Sequence, residues 1–397
     1  MPVINNVTQK MMKFPSYIFN KRKYKKDNDI IFERRFFGGI LKTQKRIAGF
    51  KLKLMGIPIF SCKDREYRTI KLFGIPIFVK ERRSQFNKYL FDQIIEKSQK
   101  VYGKHIVADD VFIIRHNIGE TILYLCELLE WAKRKNSERP LFIVWRERDI
   151  PLFKLFLGDD NRVVFIEIAQ SDINCFLRQD LMLESIRIHA PTFQIAESMK
   201  AKYISTQNIN FADHILQSMH LEEWTNRRDP TPSARALNEA ESLLQILHIK
   251  KPFVLLCPEA VSIKSLPDEF WLRIAESLTS SGYDVIINSY YEANNNSKFK
   301  TYHICCPDID VLYALACKSK RIISMASGLG VLLSICDVPA DLVYTDLKNK
   351  HIGYSADFCR QIYSVHSMPW NSTKVVMEHV ATKNYDDLAK KILTRNI

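Results

Sequence analysis

Three short segments of this chain combine residue types that handle phosphate and move protons, and each follows an apolar run that reads as a strand. The first is Arg115-His116-Asn117-Ile118-Gly119-Glu120. A glycine there permits a tight turn and close backbone approach. A carboxylate in the first turn of a following helix is favoured by the helix dipole. Glu120 is therefore a candidate general base for a hydroxyl proton, with His116 as the alternative base. Glu120 is equally suited to capping the helix and nothing more. The second segment runs from Cys257 to Trp271 and contains Lys264. A lysine in a strand-to-helix loop can neutralise a diphosphate as a point charge, or stand as an ordinary surface lysine. The third is Ser324-Met325-Ala326-Ser327-Gly328-Leu329-Gly330. Backbone N–H groups over Ser327, Gly328, Leu329 and Gly330 suit a phosphate, and a glycine turn required only for packing would read the same way.

The elements that position these segments alternate between buried strands and amphipathic helices. Strands are expected at 111–114, 141–145 and 163–166, with helices over 121–135 and 149–157. A polar, Pro-containing stretch at 226–236 separates this half from a second. A helix over 237–247 leads into strands at 253–257, 284–288, 321–324 and 342–344. Helices are expected over 268–280, 308–317, 327–336 and 386–394. Alternation at this spacing implies βαβ units and parallel sheets. The expected fold class is α/β, with two tandem Rossmann-like domains over 106–236 and 237–397, the second carrying a terminal helix. Two doubly wound sheets in tandem place a ligand cleft at their strand ends.

Residues 1–105 differ in kind. The first hundred residues hold 24 Lys and Arg against 8 Asp and Glu, whereas the remainder holds 34 against 36. The whole excess behind the net charge of +14 therefore sits in this extension. Such a segment attracts polyanions, either nucleic acid or an anionic membrane surface. It also repeats. Leu54-Met55-Gly56-Ile57-Pro58-Ile59-Phe60 recurs as Leu72-Phe73-Gly74-Ile75-Pro76-Ile77-Phe78, and Phe36-Phe37-Gly38-Gly39-Ile40-Leu41 is a weaker copy. Each copy suits short strands or hairpins with Gly at a turn or bulge, so the expectation is a small antiparallel layer behind a flexible 1–30. No run approaches the roughly 18 apolar residues of a spanning helix, and no secretory signal is expected. Nine cysteines without Cys-x-x-Cys spacing read as reduced thiols.

From about 108 to 345, roughly 60% of the chain, the order of these features resembles the ADP-heptose lipopolysaccharide heptosyltransferases, a GT-B-fold family. The resemblance implies that Glu120 is the catalytic base, in the place of the family's Asp, and that Lys264 binds phosphate. It implies that Glu292 binds the nucleotide ribose and that Ala326-Ser327-Gly328 occupies the phosphate turn. The turn's Asp is Ala326 here, and the His expected three residues after its Gly is Val331. These departures imply another donor or a weakened enzyme. The implied activity is inverting, metal-independent transfer of a sugar from a nucleotide-sugar, with no cofactor beyond that donor. The acceptor would be a lipopolysaccharide, lipooligosaccharide or capsule-type glycan, glycan-borne or lipid-linked. The protein would be cytoplasmic, held at the inner face of the cytoplasmic membrane through residues 1–100, with no specific nucleic acid partner. Two other classes are considered. A polysaccharide pyruvyl transferase-like enzyme would use Asn117-Ile118-Gly119-Glu120 as its turn, but the Arg–His arrangement expected in its second half is not found. A non-catalytic basic protein binding nucleotides or polyanions would use only the arm, which lacks a recognisable nucleic-acid module.

Overall fold

The computed structural model describes residues 19–26, 29–36, 41–46, 49–54, 57–64, 67–72, 75–81, 83–114, 117–168, 181–183, 185–190, 204, 206, 209–224, 227–290, 299–348, 354–370, 375–381 and 384–395, with only the backbone described over 19–87 and 181–183. The chain forms two compact units, residues 1–97 with 168–179, and residues 98–167 with 180–397.

The smaller unit is built on a seven-stranded antiparallel meander: β1 (Phe19–Lys26), β2 (Asp29–Phe36), β3 (Leu41–Arg46), β4 (Gly49–Leu54), β5 (Ile57–Asp64), β6 (Tyr67–Leu72) and β7 (Ile75–Glu81). The layer is larger than expected, and its first strand falls within the segment expected to be flexible. The internal repeat is visible in the pairing. The register slips between Leu52 and Lys53 against β5, and again between Ile70 and Lys71 against β7. Pro58 and Pro76 stand at those two bulges, where the ladder is already interrupted and a missing N–H costs least. The glycines of the repeat, Gly38, Gly39, Gly56 and Gly74, lie outside the described residues. Helix α1 (Arg83–Tyr102) follows, which the sequence reading did not anticipate, and buries Leu90, Ile94 and Ser98 at four-residue spacing.

The larger unit holds both Rossmann-like sheets. The first runs β10-β9-β8-β12-β11, from β8 (Asp110–Ile113), β9 (Pro140–Val144), β10 (Val163–Phe165), β11 (Leu181–Leu183) and β12 (Ile186–His189). Its strands are parallel except for the edge strand β11, which joins β12 antiparallel. The second runs β15-β14-β13-β16-β17-β18 and is parallel throughout. Its strands are β13 (Phe253–Cys257), β14 (Asp284–Asn288), β15 (His303–Cys305), β16 (Arg321–Met325), β17 (Ala340–Tyr344) and β18 (Val376–Val380). In sequence order this is the doubly wound 3-2-1-4-5-6 arrangement, whose switch point lies between β13 and β16.

The helices are α2 (Ile118–Arg134), α3 (Ile150–Leu157), α4 (Phe211–Ser218), α5 (Ala234–Ile246), α6 (Asp268–Ser280), α7 (Ile309–Lys318), α8 (Gly328–Leu333), α9 (Ala356–Tyr363) and α10 (Tyr385–Leu393). Alternate residues of β13 serve different cores, as a strand buried on both faces requires. Phe253, Leu255 and Cys257 join the core that also takes in Phe112, Phe142 and α2. Val254 and Leu256 join a second core with Trp271 and Leu388, under α6 and α10. Seven described cysteines are free thiols. No described helix is long and apolar enough to cross a membrane.

Candidate functional site

Two of the three segments singled out in the sequence meet. Helix α2 begins one residue after Asn117, whose extended backbone makes it the N-cap. Glu120 accepts the Asn117 backbone N–H at 3.3 Å, closing a capping box. Helix α8 begins one residue after Ser327, whose hydroxyl caps the Gly330 N–H at 3.5 Å. These two helix starts, one from each sheet, touch through glycine. A Cβ on Gly328 would lie 2.6 Å from the Gly119 nitrogen and 2.9 Å from Ile118 Cβ, and one on Gly119 would lie 3.3 Å from Gly328 Cα. Real Cβ atoms do not approach a backbone nitrogen that closely, so Gly328 is the residue type that lets the two turns close together. Gly330 has a separate reason to be glycine, since a side chain there would run into the Met325 carbonyl and lie 3.2 Å from Ser324 Oγ. Glu120 and Ser327, Gly328 and Leu329 are half-buried around this junction, and Gly330 is buried.

Lys264 lies in the loop after β13, at the carboxyl ends of the second sheet's strands. That loop zips onto the segment after β17. Ile263 bridges Leu347 antiparallel, the Lys264 N–H donates to the Asp346 carbonyl at 2.8 Å, and Lys348 N–H donates to Ser262 at 2.8 Å. Thr345 Oγ1 donates to the Lys264 carbonyl at 2.5 Å. The Lys264 ammonium itself is 2.8 Å from Asp346 Oδ2, while Asp346 Oδ1 accepts the Ala356 N–H at 3.0 Å. The hydrogen bond from Lys264 is the chief cause holding the Asp346 carboxyl below the usual carboxylate range. The side chains are 61% and 47% exposed, so the pair adds at most about 1 kcal/mol to stability. Its consequence is positional, because it fixes the Lys264 ammonium against the segment after β17. Asp346 was not singled out in the sequence, although its place just past a strand end marks it.

Glu259, in the same loop, ties the ends of β13 and β14 together by accepting the Ser289 hydroxyl and, at 3.2 Å, the Tyr290 N–H. Glu292 follows two residues later, and it and His116 lie outside the described residues.

Three other carboxylates of the first half sit elsewhere. Asp109 accepts the N–H groups of Glu138 and Arg139 at the amino-terminal strand ends. Glu130 pairs with Lys133 and Arg134 along α2. Asp110 is fully buried, with Arg187 at 2.8 and 2.5 Å and His189 Nε2 at 2.5 Å. The second sheet buries a counterpart. Asp341 accepts from Arg321 at 2.7 Å, lies 2.7 Å from His379 Nε2 and 3.4 Å from Arg395. Burial pushes both aspartates up, but hydrogen bonds from their Arg and His partners outweigh it and hold both below the usual range. An arginine and a histidine thus do converge in the second half. They do so around Asp341, buried and near the amino-terminal strand ends, away from the Lys264 and Ser327 turns.

The described site is therefore a double Rossmann-like α/β unit with its chemistry-bearing turns after β8, β13 and β16, the strands flanking the sheets' switch points. No family model matches the chain, and no curated protein matches it. Solved structures similar to it include an ADP-heptose lipopolysaccharide heptosyltransferase II from E. coli, 13% identical, with a TM-score of 0.47 over 72% of this chain and 96% of that one. They also include a family 9 glycosyl transferase from Veillonella parvula, 12% identical, with a TM-score of 0.43 over 73% and 90%. A third is the E. coli heptosyltransferase WaaC with ADP, 11% identical, with a TM-score of 0.40 over 71% and 98%. Identities and TM-scores this low leave the chain's activity to be argued from its own residues. Among the described residues, no group of three or more His, Cys, Asp or Glu is arranged to hold a metal ion.

Proposed function

We propose that this chain is a glycosyltransferase that moves a sugar from a nucleotide-sugar to a hydroxyl of a glycan or lipid-linked acceptor, with inversion and without a metal or further cofactor. The observation that carries the reading is the glycine-to-glycine meeting of Gly119 and Gly328. It brings the turn that carries Glu120 against a small-residue turn of the second sheet. Such an arrangement supports inverting transfer, in which the acceptor oxygen loses its proton to a base while the donor's diphosphate departs. In this reading Glu120 accepts the acceptor proton, with His116 as the alternative base. Ser327, Gly328 and Leu329 offer backbone N–H groups to the diphosphate, Lys264 offers an ammonium, and Glu292 holds the ribose. Gly330 serves the turn by packing. Asp346 would hold Lys264 in place until the donor arrives. A lipid-linked acceptor fits a protein that is cytoplasmic and held at the inner face of the membrane by its basic extension.

The test is a panel of nucleoside diphosphates and nucleotide-sugars read by thermal shift and by release of nucleoside diphosphate. A ligand at about 100 times its dissociation constant adds roughly 2.7 kcal/mol to stability. One nucleotide series is expected to raise the melting temperature and to be consumed when acceptor is supplied. No shift with any nucleotide would overturn the reading.

A further inference from the structure

Two thiols of the larger unit lie close enough to react with one another. Cys317 Sγ and Cys336 Sγ are 3.6 Å apart, on residues 19 positions apart in the sequence. Cys317 is exposed in the last turn of α7, whereas Cys336, just past the end of α8, is 1% exposed. Tyr313 stands one turn before Cys317 on the same face of α7 and also hydrogen-bonds Cys336. The backbone is held on both sides. Helix α7 is tied to α5 near both of its ends, by Asp310 with Arg235 at 2.5 Å and by Lys318 with Glu241 at 2.6 Å. The turn after α8 is closed by the Ile335 N–H donating to the Leu332 carbonyl and the Cys336 N–H donating to the Leu333 carbonyl, both at 3.1 Å. Bonded sulfurs sit about 2.05 Å apart, so this pair must close by about 1.5 Å, a shift on the scale of side-chain rotation.

We propose that Cys317 and Cys336 form a peroxide-sensitive pair, in which Cys317 reacts first and Cys336 resolves it into an intramolecular disulfide. The thiolate is the attacking species, and an accessible sulfur is the one that meets a peroxide. Of the seven described cysteines, Cys306 and Cys317 alone are exposed, and Cys317 has the buried Cys336 sulfur beside it. In the first step the Cys317 thiolate attacks one oxygen of hydrogen peroxide, the O–O bond breaks, and a sulfenic acid and hydroxide result. In the second the Cys336 thiolate attacks the Cys317 sulfur, the S–O bond breaks, and hydroxide leaves. The two thiol protons turn both hydroxides into water, so two electrons pass from the sulfurs to one peroxide. The new bond closes a loop that contains β16, the Ser327 turn and α8, and ties the end of that segment to α7. A cross-link of this kind restricts the unfolded chain more than the folded one. Neither thiol takes part in the sugar transfer proposed above.

The experiment treats the dilute full chain with hydrogen peroxide, blocks remaining thiols with N-ethylmaleimide, and maps non-reduced tryptic peptides by mass spectrometry. A linked pair of peptides bearing Cys317 and Cys336 is expected, lighter by two hydrogens than the separate peptides and lost on addition of dithiothreitol. Adding dithiothreitol to the oxidised wild type is expected to lower its melting temperature, and to leave that of C317S, treated in the same way, unchanged. In C336S the resolving sulfur is gone, so Cys317 is expected to persist as sulfenic acid, read as a dimedone adduct several-fold more abundant than in the wild type. Absence of the linked pair in the wild type would overturn the proposal. So would a bond from Cys317 to another cysteine or to a second chain, or equal dimedone labelling of wild type and C336S. A melting temperature that holds or rises when dithiothreitol reduces the bond would mean that the bond forms in a distorted chain, and would overturn it as well. The readouts need no nucleotide-sugar, so failure here leaves the glycosyltransferase reading intact, and failure of that reading leaves this test unaffected.

Discussion

Each sheet of the larger unit buries one aspartate toward the amino-terminal ends of its strands, between an arginine and a histidine, yet water reaches the two clusters unequally. Around Asp341, Arg321 is 1% exposed, and its remaining donors cap the carboxyl end of α10 through the Ile392 and Arg395 carbonyls. Arg395 returns to Asp341 and to the Ala340 and Val375 carbonyls. Around Asp110, Arg187 is 44% exposed and can turn to water if its partner is lost. The second sheet therefore has its last helix locked into a closed ionic network, while the first sheet has a pair with a solvent exit.

The largest expected effect tests this inequality. Asp341→Ala strands a fully buried guanidinium and is expected to cost about 3–5 kcal/mol in denaturant unfolding, against about 1–3 for Asp110→Ala. Equal losses would erase the distinction. The acid limb sharpens it. Both aspartates are held below their ordinary pKa, so their stabilisation is present above about pH 4 and drains away as pH falls through the folded-state values. Asp341→Asn is expected to flatten the loss of stability below about pH 4, with Asp110→Asn doing so to a smaller extent.

Next in size is the glycine junction. Gly328→Ala drives a Cβ into the Gly119 backbone and is expected to cost about 1–3 kcal/mol, whereas Gly119→Ala meets its neighbour at 3.3 Å and is expected to cost under about 1 kcal/mol. Thermal melts of the two variants decide this, and the reverse order would refute the junction as described. Smaller again is Lys264→Ala. Loss of an exposed ion pair leaves stability within about 1 kcal/mol, while nucleoside diphosphate affinity is expected to fall about tenfold, or 1.4 kcal/mol. Unchanged affinity by calorimetry would move the donor site elsewhere.

The second sheet was the more legible half. Phe253–Cys257 and Asp284–Asn288 are strands buried on both faces, so their apolar runs are uninterrupted and their ends fall where the sequence places them. Strands β12 and β18 escaped the reading because Arg187, His189, Glu378 and His379 break their apolar pattern. Those residues are tolerated there only because tertiary partners satisfy them: Asp110 in the first sheet, Asp341 for His379, and Tyr344 and Ser364 for Glu378. Helix α2 starts three residues before the expected Thr121 because the Asn117–Glu120 capping box adds a first turn. Of the candidate site, the turns were readable from strand-then-glycine order. The Lys264–Asp346 pair was not, since 82 residues separate partners that only the adjacent strand ends bring together.

In the proposed function the two halves differ above all in that the first carries the base, Glu120. Glu120→Gln keeps the side chain's shape and its capping bond to Asn117, because Gln closes a capping box as Glu does. Stability is therefore expected to stay close to wild type, and nucleotide-sugar affinity to persist, because the proposed function assigns donor binding to the second half. Turnover, measured as nucleoside diphosphate released in the presence of acceptor, is expected to fall about 100-fold or more, the scale of a lost general base. Wild-type turnover in Glu120→Gln would contradict the account and leave Glu120 a helix cap alone.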